Sequence, residues 1–592
     1  MGKRRKRAAE APAVPAAHES ALEDFLLSAL WVLAFVLLTG VPDQKILRYK
    51  MLAVEGAAAG GLLAAFASWP ARLPALWTRT PLDLSVALYA GGGLLFYALS
   101  PEHGASRLEL VRILSSAAAF FAASQTLPRL KRPEVTAWAW ALCGGFAGAY
   151  ALLQTRGGLG PLMVPQLDRP IFTFGNPIFF AAFLAASACA AGALAAATAG
   201  KTRLLAVACA ALSLGGAWTT QTRAAVVGLA AAGGLAALLT LSGQARLKAL
   251  GALALAGAGA AWHFWGRQWT HGLIWRDTLS LWLTHPFLGC GLGRFHIEFP
   301  AFASPALRAL WPENKVIVNF AHNEYLQVLA ETGVVGLALL AGVVGGWFGM
   351  LKEWSASPEM PRRALLGGFL LAAGTLFAQN FFSPDLRFGV SSFLVFLSLG
   401  AASALGWGEA VSLPEFPGRY AFAAAGGLAV LSWANVAVQP LLAQRRLAAE
   451  PGFYVDQGGE FDKAVSSLQN RLKENPGDAD AAENLAFLFA KAKRWPEAIR
   501  YFELTANLAP TRPGPTNNLG NIAYSLGDRA KAIEYWGRSL QVAPDQIDAR
   551  INLGKTLYEM GRLKESARNL EEVRKRDPKN EKAQVLLKKM IE

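Results

Sequence analysis

The sequence predicts an all-α protein in two parts, a polytopic membrane helix bundle followed by a soluble α-solenoid. Three observations carry this reading. Charge is uneven: residues 1–440 hold 32 Lys+Arg and 21 Asp+Glu, about 12% of the stretch, whereas residues 441–592 hold 25 and 21, about 30%. A soluble domain carries about 25% charged residues, so the two stretches suit different solvents. Apolar segments of about 16–20 residues, bounded by Pro, Gly or charge, recur through the first 440 positions, long enough to cross a bilayer's hydrocarbon. Prolines at 476, 510, 544 and 578 fall 34 residues apart, a period typical of stacked helix pairs. Together these exclude a single soluble enzyme, a secreted disulfide-rich protein and a disordered chain.

The elements follow in order. Residues 1–20 open with Lys3-Arg4-Arg5-Lys6-Arg7 and an Ala/Pro-rich stretch, and read as a basic disordered N-terminus. The apolar run from Phe25 to Leu38 comes late and lacks a small-residue cleavage site, so it reads as a first membrane helix rather than a signal peptide. Spans are expected near 22–40, 51–69, 82–99, 108–127, 136–153, 178–199, 203–219, 224–241, 248–265, 333–351, 364–382, 389–407 and 419–438, about 12–13 within a membrane domain of residues 21–440. Their many Ala and Gly residues suit close helix packing in lipid.

Orientation follows from short-loop Lys and Arg. Loops carrying Arg72/Arg79, Arg129/Lys131/Arg132, Lys201/Arg203, Arg246/Lys248 and Lys352/Arg362/Arg363 share the cytoplasmic side with the N-terminal cluster. Segments 154–177, 220–223, 266–325 and 383–388 then face outward. Lys45, Arg48 and Lys50 in the first outward loop break the pattern. Most of the net charge of +15 sits in this apolar part, where it reports orientation rather than nucleic-acid binding. Cys143, Cys189 and Cys209 lie inside apolar runs and Cys290 is alone in a loop. With no CxxC pair or Cys/His cluster, no metal site and no cofactor are expected.

Residues 441–592 keep step with the prolines. Leu485, Leu519 and Leu553 are followed by Ala486, Gly520 and Gly554, and Ala464, Ala498 and Ala532 precede Leu468, Phe502, Trp536 and Leu570. Gly459, Gly527 and Gly561 are expected at the turn between paired helices. The pattern resembles the tetratricopeptide repeat: about three full repeats, a degenerate one near 443–476 and a capping helix within 579–592. Such arrays bind proteins or peptides, so a protein partner is expected on this region.

Polar residues converge on the outward side by loop parity: Arg169 and Asn176, Arg223, the 266–325 loop with Arg276, Arg294 and His322, and Asp385 with Arg387. Trp262, Trp265, Trp269, Trp275 and Trp282 crowd the start of that loop, and tryptophan favours the headgroup layer. Residues 273–284 therefore read as an amphipathic helix on the membrane surface. Gly289, Gly291 and Gly293 neither follow a strand nor open a helix, so they are not a dinucleotide site. The parity describes a basic outward cavity with one histidine, suited to an anionic, lipid-attached substrate.

Three segments resemble the O-antigen ligase/polymerase superfamily of membrane glycosyltransferases (Wzy_C or WaaL-like). They are Phe172-Thr173-Phe174-Gly175-Asn176-Pro177; Thr220-Gln221-Thr222-Arg223; and the stretch from Trp275-Arg276 through His285-Pro286-Phe287-Leu288-Gly289 and Ala321-His322-Asn323-Glu324 to Glu331-Thr332-Gly333. Ile178-Phe179 stands where members often carry a second Asn. The resemblance implies a GT-C-like, metal-independent, inverting glycosyltransferase in the bacterial inner membrane, with its active site and repeats in the periplasm. It implies a glycan donor on undecaprenyl diphosphate and a lipid A-core, glycan or protein acceptor. It also implies diphosphate binding by Arg223 and Arg276, and a base or acceptor-positioning role for His322. Arg294, Arg387, Asn176 and Asn323 are added as substrate-binding candidates.

The residues alone leave blander readings open. Arg223 also suits a helix end where its head snorkels to the interface, Arg276 a headgroup contact and His322 a structural role. Arg294, Arg387 and Asp385 suit an ion-pair scaffold as well as substrate, and Asn176 a helix cap. Glu324 is a candidate holder of His322 or another basic group. His285 reads as a turn element. An O-antigen or exopolysaccharide polymerase, a protein O-glycosyltransferase and a non-catalytic membrane anchor for the repeats remain alternatives to a ligase.

Overall fold

The structure is a computed structural model that describes residues 21–40, 56, 76–101, 103–156, 169–263, 271–310, 318–412, 458–578 and 580–590. The chain divides into two compact units. The first comprises residues 1–98, 108–268 and 322–441, the second residues 99–107, 269–321 and 442–592.

The described helices of the first unit are α1 (Ala21–Gly40), α2 (Asp83–Leu99), α3 (His103–Thr126, whose first turn belongs to the second unit), α4 (Glu134–Gln154), α5 (Pro177–Ala197), α6 (Gly200–Thr219), α7 (Arg223–Thr240) and α8 (Gly243–His263). Eleven of the thirteen expected spans coincide with helices, the remaining three being Glu324–Ala356, Arg363–Gln379 and Gly389–Trp407. The expected spans 51–69 and 419–438 fall outside the described residues. Seven described helices are long and apolar enough to cross a membrane, and three more are shorter apolar helices. A short antiparallel ribbon, β1 (Leu76–Arg79) with β2 (Glu409–Ser412), is an addition to the all-α expectation.

Hydrogen bonds sort the helix ends into two sets. At one end, the Thr173 hydroxyl donates to the Thr39 carbonyl at 2.6 Å. The Gln154 side-chain oxygen there accepts from the Ile171 and Phe172 N–H groups at 3.3 and 3.1 Å. At the other end, the Lys131 N–H donates to Asp24 at 2.8 Å. Gln125 pairs with both backbone groups of Thr78 at 2.9 Å, and Arg362 approaches Glu134 at 3.9 Å. The segments meet in the alternation that loop parity predicted.

Small residues make this packing possible. A Cβ at Gly148 of α4 would overlap the Leu212 carbonyl of α6, and one at Gly228 of α7 would overlap the Thr375 carbonyl. Backbones this close gain dispersion contacts that lipid tails cannot supply.

In the second unit, the long loop folds into α9 (His271–Thr284), α10 (Phe295–Phe302) and α11 (Pro305–Leu310). The first of these coincides with the helix expected at 273–284. The repeats follow as α15 (Gly458–Glu474), α16 (Ala479–Lys491), α17 (Trp495–Leu508), α18 (Pro513–Ser525), α19 (Arg529–Val542), α20 (Ile547–Glu559), α21 (Leu563–Arg576) and α22 (Glu581–Lys589), with α12–α14 assigned to the first unit's Glu324–Ala356, Arg363–Gln379 and Gly389–Trp407. Pro476, Pro510, Pro544 and Pro578 each sit two residues past a helix end, where a missing N–H costs nothing. Gly527 and Gly561 take φ of 85° and 75° in the turns between paired helices. Gly459 does not: it lies in the first turn of α15. The periodic apolar positions form the cores, with Leu485, Ala498 and Phe502 in one cluster and Ala532, Trp536 and Leu553 in the next. Ala583 of α22 closes the last cluster against Ile551, Leu570 and Val573, as a capping helix should.

Candidate functional site

In the first unit, the sequence-predicted residues gather at the end marked by Thr39 and Gln154. Arg223 is the first residue of α7 and is half-buried. The turn before it is braced by Arg169, whose guanidinium donates to the Thr220 carbonyl at 2.6 Å and the Thr222 hydroxyl at 2.9 Å. That hydroxyl also reaches the Pro177 carbonyl at 3.3 Å, tying the start of α7 to the start of α5. Thr222 provides no side-chain cap to α7. The first N–H groups of the helix thus donate no hydrogen bond to that side chain.

Asn176 is the N-cap of α5, its amide oxygen accepting from the Ile178 N–H at 2.8 Å. Asn323 is the N-cap of α12, accepting from the Leu326 N–H at 3.0 Å. Both amide oxygens therefore stabilise helix starts, and Asn323 is buried. Between them in role is His322, which adopts a left-handed conformation with φ 52° immediately before the α12 cap. Burial pushes the His322 imidazole below its ordinary pKa, so it is neutral at neutral pH and able to accept a proton.

The start of α12 is tied to the far end of α13, with the Glu324 N–H donating to the Asn380 carbonyl at 2.9 Å. Gly228 of α7 also packs on Thr375 and Gln379 of α13. The N-terminus of α7 therefore shares an end with His322 and with the 380–388 loop. Phe179 in the first turn of α5 meets Phe388 ring to ring, centroids 3.8 Å apart.

Arg387 lies inside this end. Its guanidinium pairs with Glu331 at 2.9 and 3.2 Å, Glu109 at 3.3 Å and Glu324 at 3.4 Å, and its side chain is 4% exposed. Burial opposes its charge, but the Glu109, Glu331 and Glu324 carboxylates outweigh this and hold its pKa above the ordinary arginine value. Arg112 of α3 pairs with Glu109 at 2.8 Å and donates to the Leu386 carbonyl at 2.9 Å. Asp385 accepts from Gln379 and Ser383, and burial pushes its carboxyl up to about 7, partly offset by those two hydrogen bonds. The structure thus places Arg387 in an ion-pair scaffold rather than at an open substrate surface. Glu324 holds Arg387.

Sequence reasoning did not find the roles of Glu109, Arg112 and Glu331. A usable signal was present: Glu324 and Glu331 lie seven residues apart, on one face of α12, and charges that close to apolar spans need partners. The helix breaks at Gly333, with φ 64° and ψ −166°. A side chain there would meet the left-handed penalty, so the Glu331-Thr332-Gly333 sequence ends a short buried helix and redirects the span behind it.

Arg276 and Arg294 belong to the second unit. Arg276 on α9 contacts Asp277 at 3.0 Å and keeps a side chain 58% exposed. Asp277 is itself anchored, its other oxygen accepting from the Ser304 N–H at 2.8 Å. Arg294 precedes α10 and pairs with Glu298 one turn later.

Comparison with known proteins bears on both units. A sequence profile of the O-antigen ligase family (Wzy_C) matches residues 184–341. Two tetratricopeptide repeat profiles match residues 454–513 and 523–590. Among curated relatives, "Uncharacterized protein ycf37" of Cyanophora paradoxa is 31% identical over 128 residues, 21% of this chain and 74% of that protein. "General transcriptional corepressor trfA" of Dictyostelium discoideum is 28% identical over 103 residues, 17% of this chain but only 7% of that protein's length. Among solved structures, MamA aligns over 24% of this chain and 92% of its own, with 18% identity and a TM-score of 0.21. YrrB, described as a TPR protein with an unusual peptide-binding site, aligns over 22% of this chain and 77% of its own, with 21% identity and a TM-score of 0.20. A segment among the apolar, membrane-length helices thus matches the O-antigen ligase family over residues 184–341, and the C-terminal helices match tetratricopeptide repeats.

Proposed function

We propose that the chain is a glycosyltransferase of O-antigen ligase type. It moves a glycan from undecaprenyl diphosphate to a lipid A-core or similar acceptor on the outer face of the bacterial inner membrane. The observation that carries this reading is the O-antigen ligase family region with Arg223 at a helix start and His322 beside a helix cap, both at one end of the first unit. Arg223, in the first unit, binds the donor diphosphate, and the resemblance to the ligase family gives Arg276 of the second unit a diphosphate-binding role of its own. Guanidinium grips phosphate bidentately and stays charged at any working pH. The N-terminus of α7 adds backbone donors toward the charge that grows on the leaving oxygen.

His322 takes the proton from the acceptor hydroxyl as its oxygen attacks the anomeric carbon. The bond from that carbon to the phosphate oxygen breaks, undecaprenyl diphosphate leaves, and the configuration inverts. No metal takes part in this scheme. The repeats face the periplasm and hold a protein partner. A protein acceptor is the second reading, favoured by the repeats, and a polymerase joining lipid-linked units is the third.

The experiment is transfer by the purified protein, with EDTA present, from a defined undecaprenyl-diphosphate glycan to lipid A-core, to a second lipid-linked glycan and to candidate proteins. Loss of transfer in Arg223→Ala and His322→Ala, with folding intact, supports an enzyme. A chain whose cellular phenotype survives both substitutions but not removal of residues 441–592 is a scaffold instead.

A further inference from the structure

Within the second unit, a cavity of about 630 Å³ lies between the loop helices α10–α11 and the repeats. That volume falls in the range of small-ligand sites, about 300–1,000 Å³. One wall comes from His296, Phe299 and Arg308, the other from Glu483, Arg512, Asn517 and Asp548. The walls are pinned together: the Thr511 hydroxyl donates to the Ile297 carbonyl, and Arg308 reaches the Val542 carbonyl at 3.5 Å and the Pro300 carbonyl at 3.2 Å.

The charges of the lining nearly cancel. Arg512 is engaged by Asp480 at 2.7 Å and Glu483 at 2.9 Å, and Arg308 and Asp548 leave one carboxylate in excess over the two arginines. A site of that balance repels a diphosphate rather than attracting it. The lining offers instead amides and carboxylates, the groups that hydrogen-bond sugar hydroxyls, backed by the buried Phe299 ring that packs on Phe295 and shapes the cavity wall. The Asn517 side-chain oxygen is buried with no hydrogen-bond partner, and an acceptor left open beside a cavity costs free energy unless a ligand donor or water satisfies it.

We propose that this cavity is an oligosaccharide subsite, in which the repeats and the Arg276-bearing loop together hold the uncharged sugar part of the substrate. The inference rests on the glycosyltransferase reading for its ligand class. An extended peptide is the competing occupant.

The test uses the full chain in detergent. The probe is the oligosaccharide released by mild acid from the host's own undecaprenyl-diphosphate pool and labelled at its reducing end, so it carries neither lipid nor phosphate. Saturable binding is expected by fluorescence anisotropy. Phe299→Ala and Asn517→Leu are each expected to weaken it about tenfold or more, with helical circular dichroism unchanged, while Arg568→Ala on exposed α21 leaves it as it was. His322→Ala should keep the binding while losing transfer, so failure of the transferase reading and failure of the subsite give different results. Absence of binding to the unsubstituted protein, or binding indifferent to Phe299 and Asn517, overturns the proposal. Binding of a random decapeptide pool that the same two substitutions abolish, with the sugar excluded, also overturns it and assigns the cavity to peptide.

Discussion

Arg387→Ala removes the cation that the buried Glu324 and Glu331 share with the partly buried Glu109. In the native chain its guanidinium meets Glu331 bidentately at 2.9 and 3.2 Å, with Glu109 and Glu324 within 3.4 Å, and both Arg387 and Glu331 are almost fully buried. Truncation leaves carboxylates in a low-dielectric interior with Arg112 as their remaining described cation. Breaking a buried pair on one side costs about 3–5 kcal/mol, because the surviving charge stays desolvated. At roughly 2 °C per kcal/mol for a large unit, the melting temperature in detergent should fall by about 6–10 °C. Arg387→Lys keeps the charge but loses the planar fork, so it should recover only part of the loss. The double variant Arg387→Met/Glu331→Leu should lose less than the two single changes added together, since it leaves fewer uncompensated charges. The assay is thermal unfolding of the purified chain followed by intrinsic tryptophan fluorescence. If Arg387→Ala melts within 2 °C of the native chain, set against the fall expected, the ion-pair scaffold is refuted. A raised KM with unchanged melting would make Arg387 a substrate contact instead.

Four further outcomes are expected. Gly148→Ala places a methyl against the Leu212 carbonyl and should cost about 1–3 kcal/mol by overpacking, seen as earlier melting and less monodisperse protein on gel filtration. Trp536 is 1% exposed, so Trp536→Ala should destabilise the repeats by about 3–5 kcal/mol, read as a lower circular dichroism transition, with the first unit's transition unmoved. Asp385 has a folded carboxyl pKa of about 7 against an ordinary 3.8, raised chiefly by burial and further by Glu324. The folded state therefore binds the extra proton between those values, and stability should decline as pH rises from about 4 to about 7; Asp385→Asn should flatten that decline in melting-temperature profiles. His322→Ala should slow transfer about 10²–10⁴-fold, and because burial lowers the imidazole pKa, the acidic limb of the native rate profile should have its midpoint below pH 6.5.

The spans were legible because each is a local property: sixteen or more apolar residues between charges or prolines need no knowledge of the rest of the chain. The repeats were legible for the same reason, since one 34-residue period contains a whole structural unit. Asn176, one residue before a helix, is readable as a cap from position alone, whereas Asn323, read only as a substrate-binding candidate, proves to be a cap as well. What stayed hidden depends on distant pairs. Arg112 and Arg387 stand 275 positions apart, and nothing in either one's neighbours says that Glu109 joins them. Loop parity places Arg169 among the outward polar residues, but only its contacts with Thr220 and Thr222 show it bracing the turn before Arg223. The break at Gly333 and the β1–β2 ribbon are set by packing rather than propensity, so periodicity passed over both. Gly459 followed the repeat spacing but not its geometry, at the edge of an array where repeats depart from the consensus.

The most direct test of the account is single-turnover transfer in EDTA by native, Arg223→Ala and His322→Ala proteins, from one defined undecaprenyl-diphosphate glycan to lipid A-core. The account predicts product with the native chain and a fall of at least about 100-fold in each variant, with unchanged melting curves. Equal product from all three proteins would contradict it.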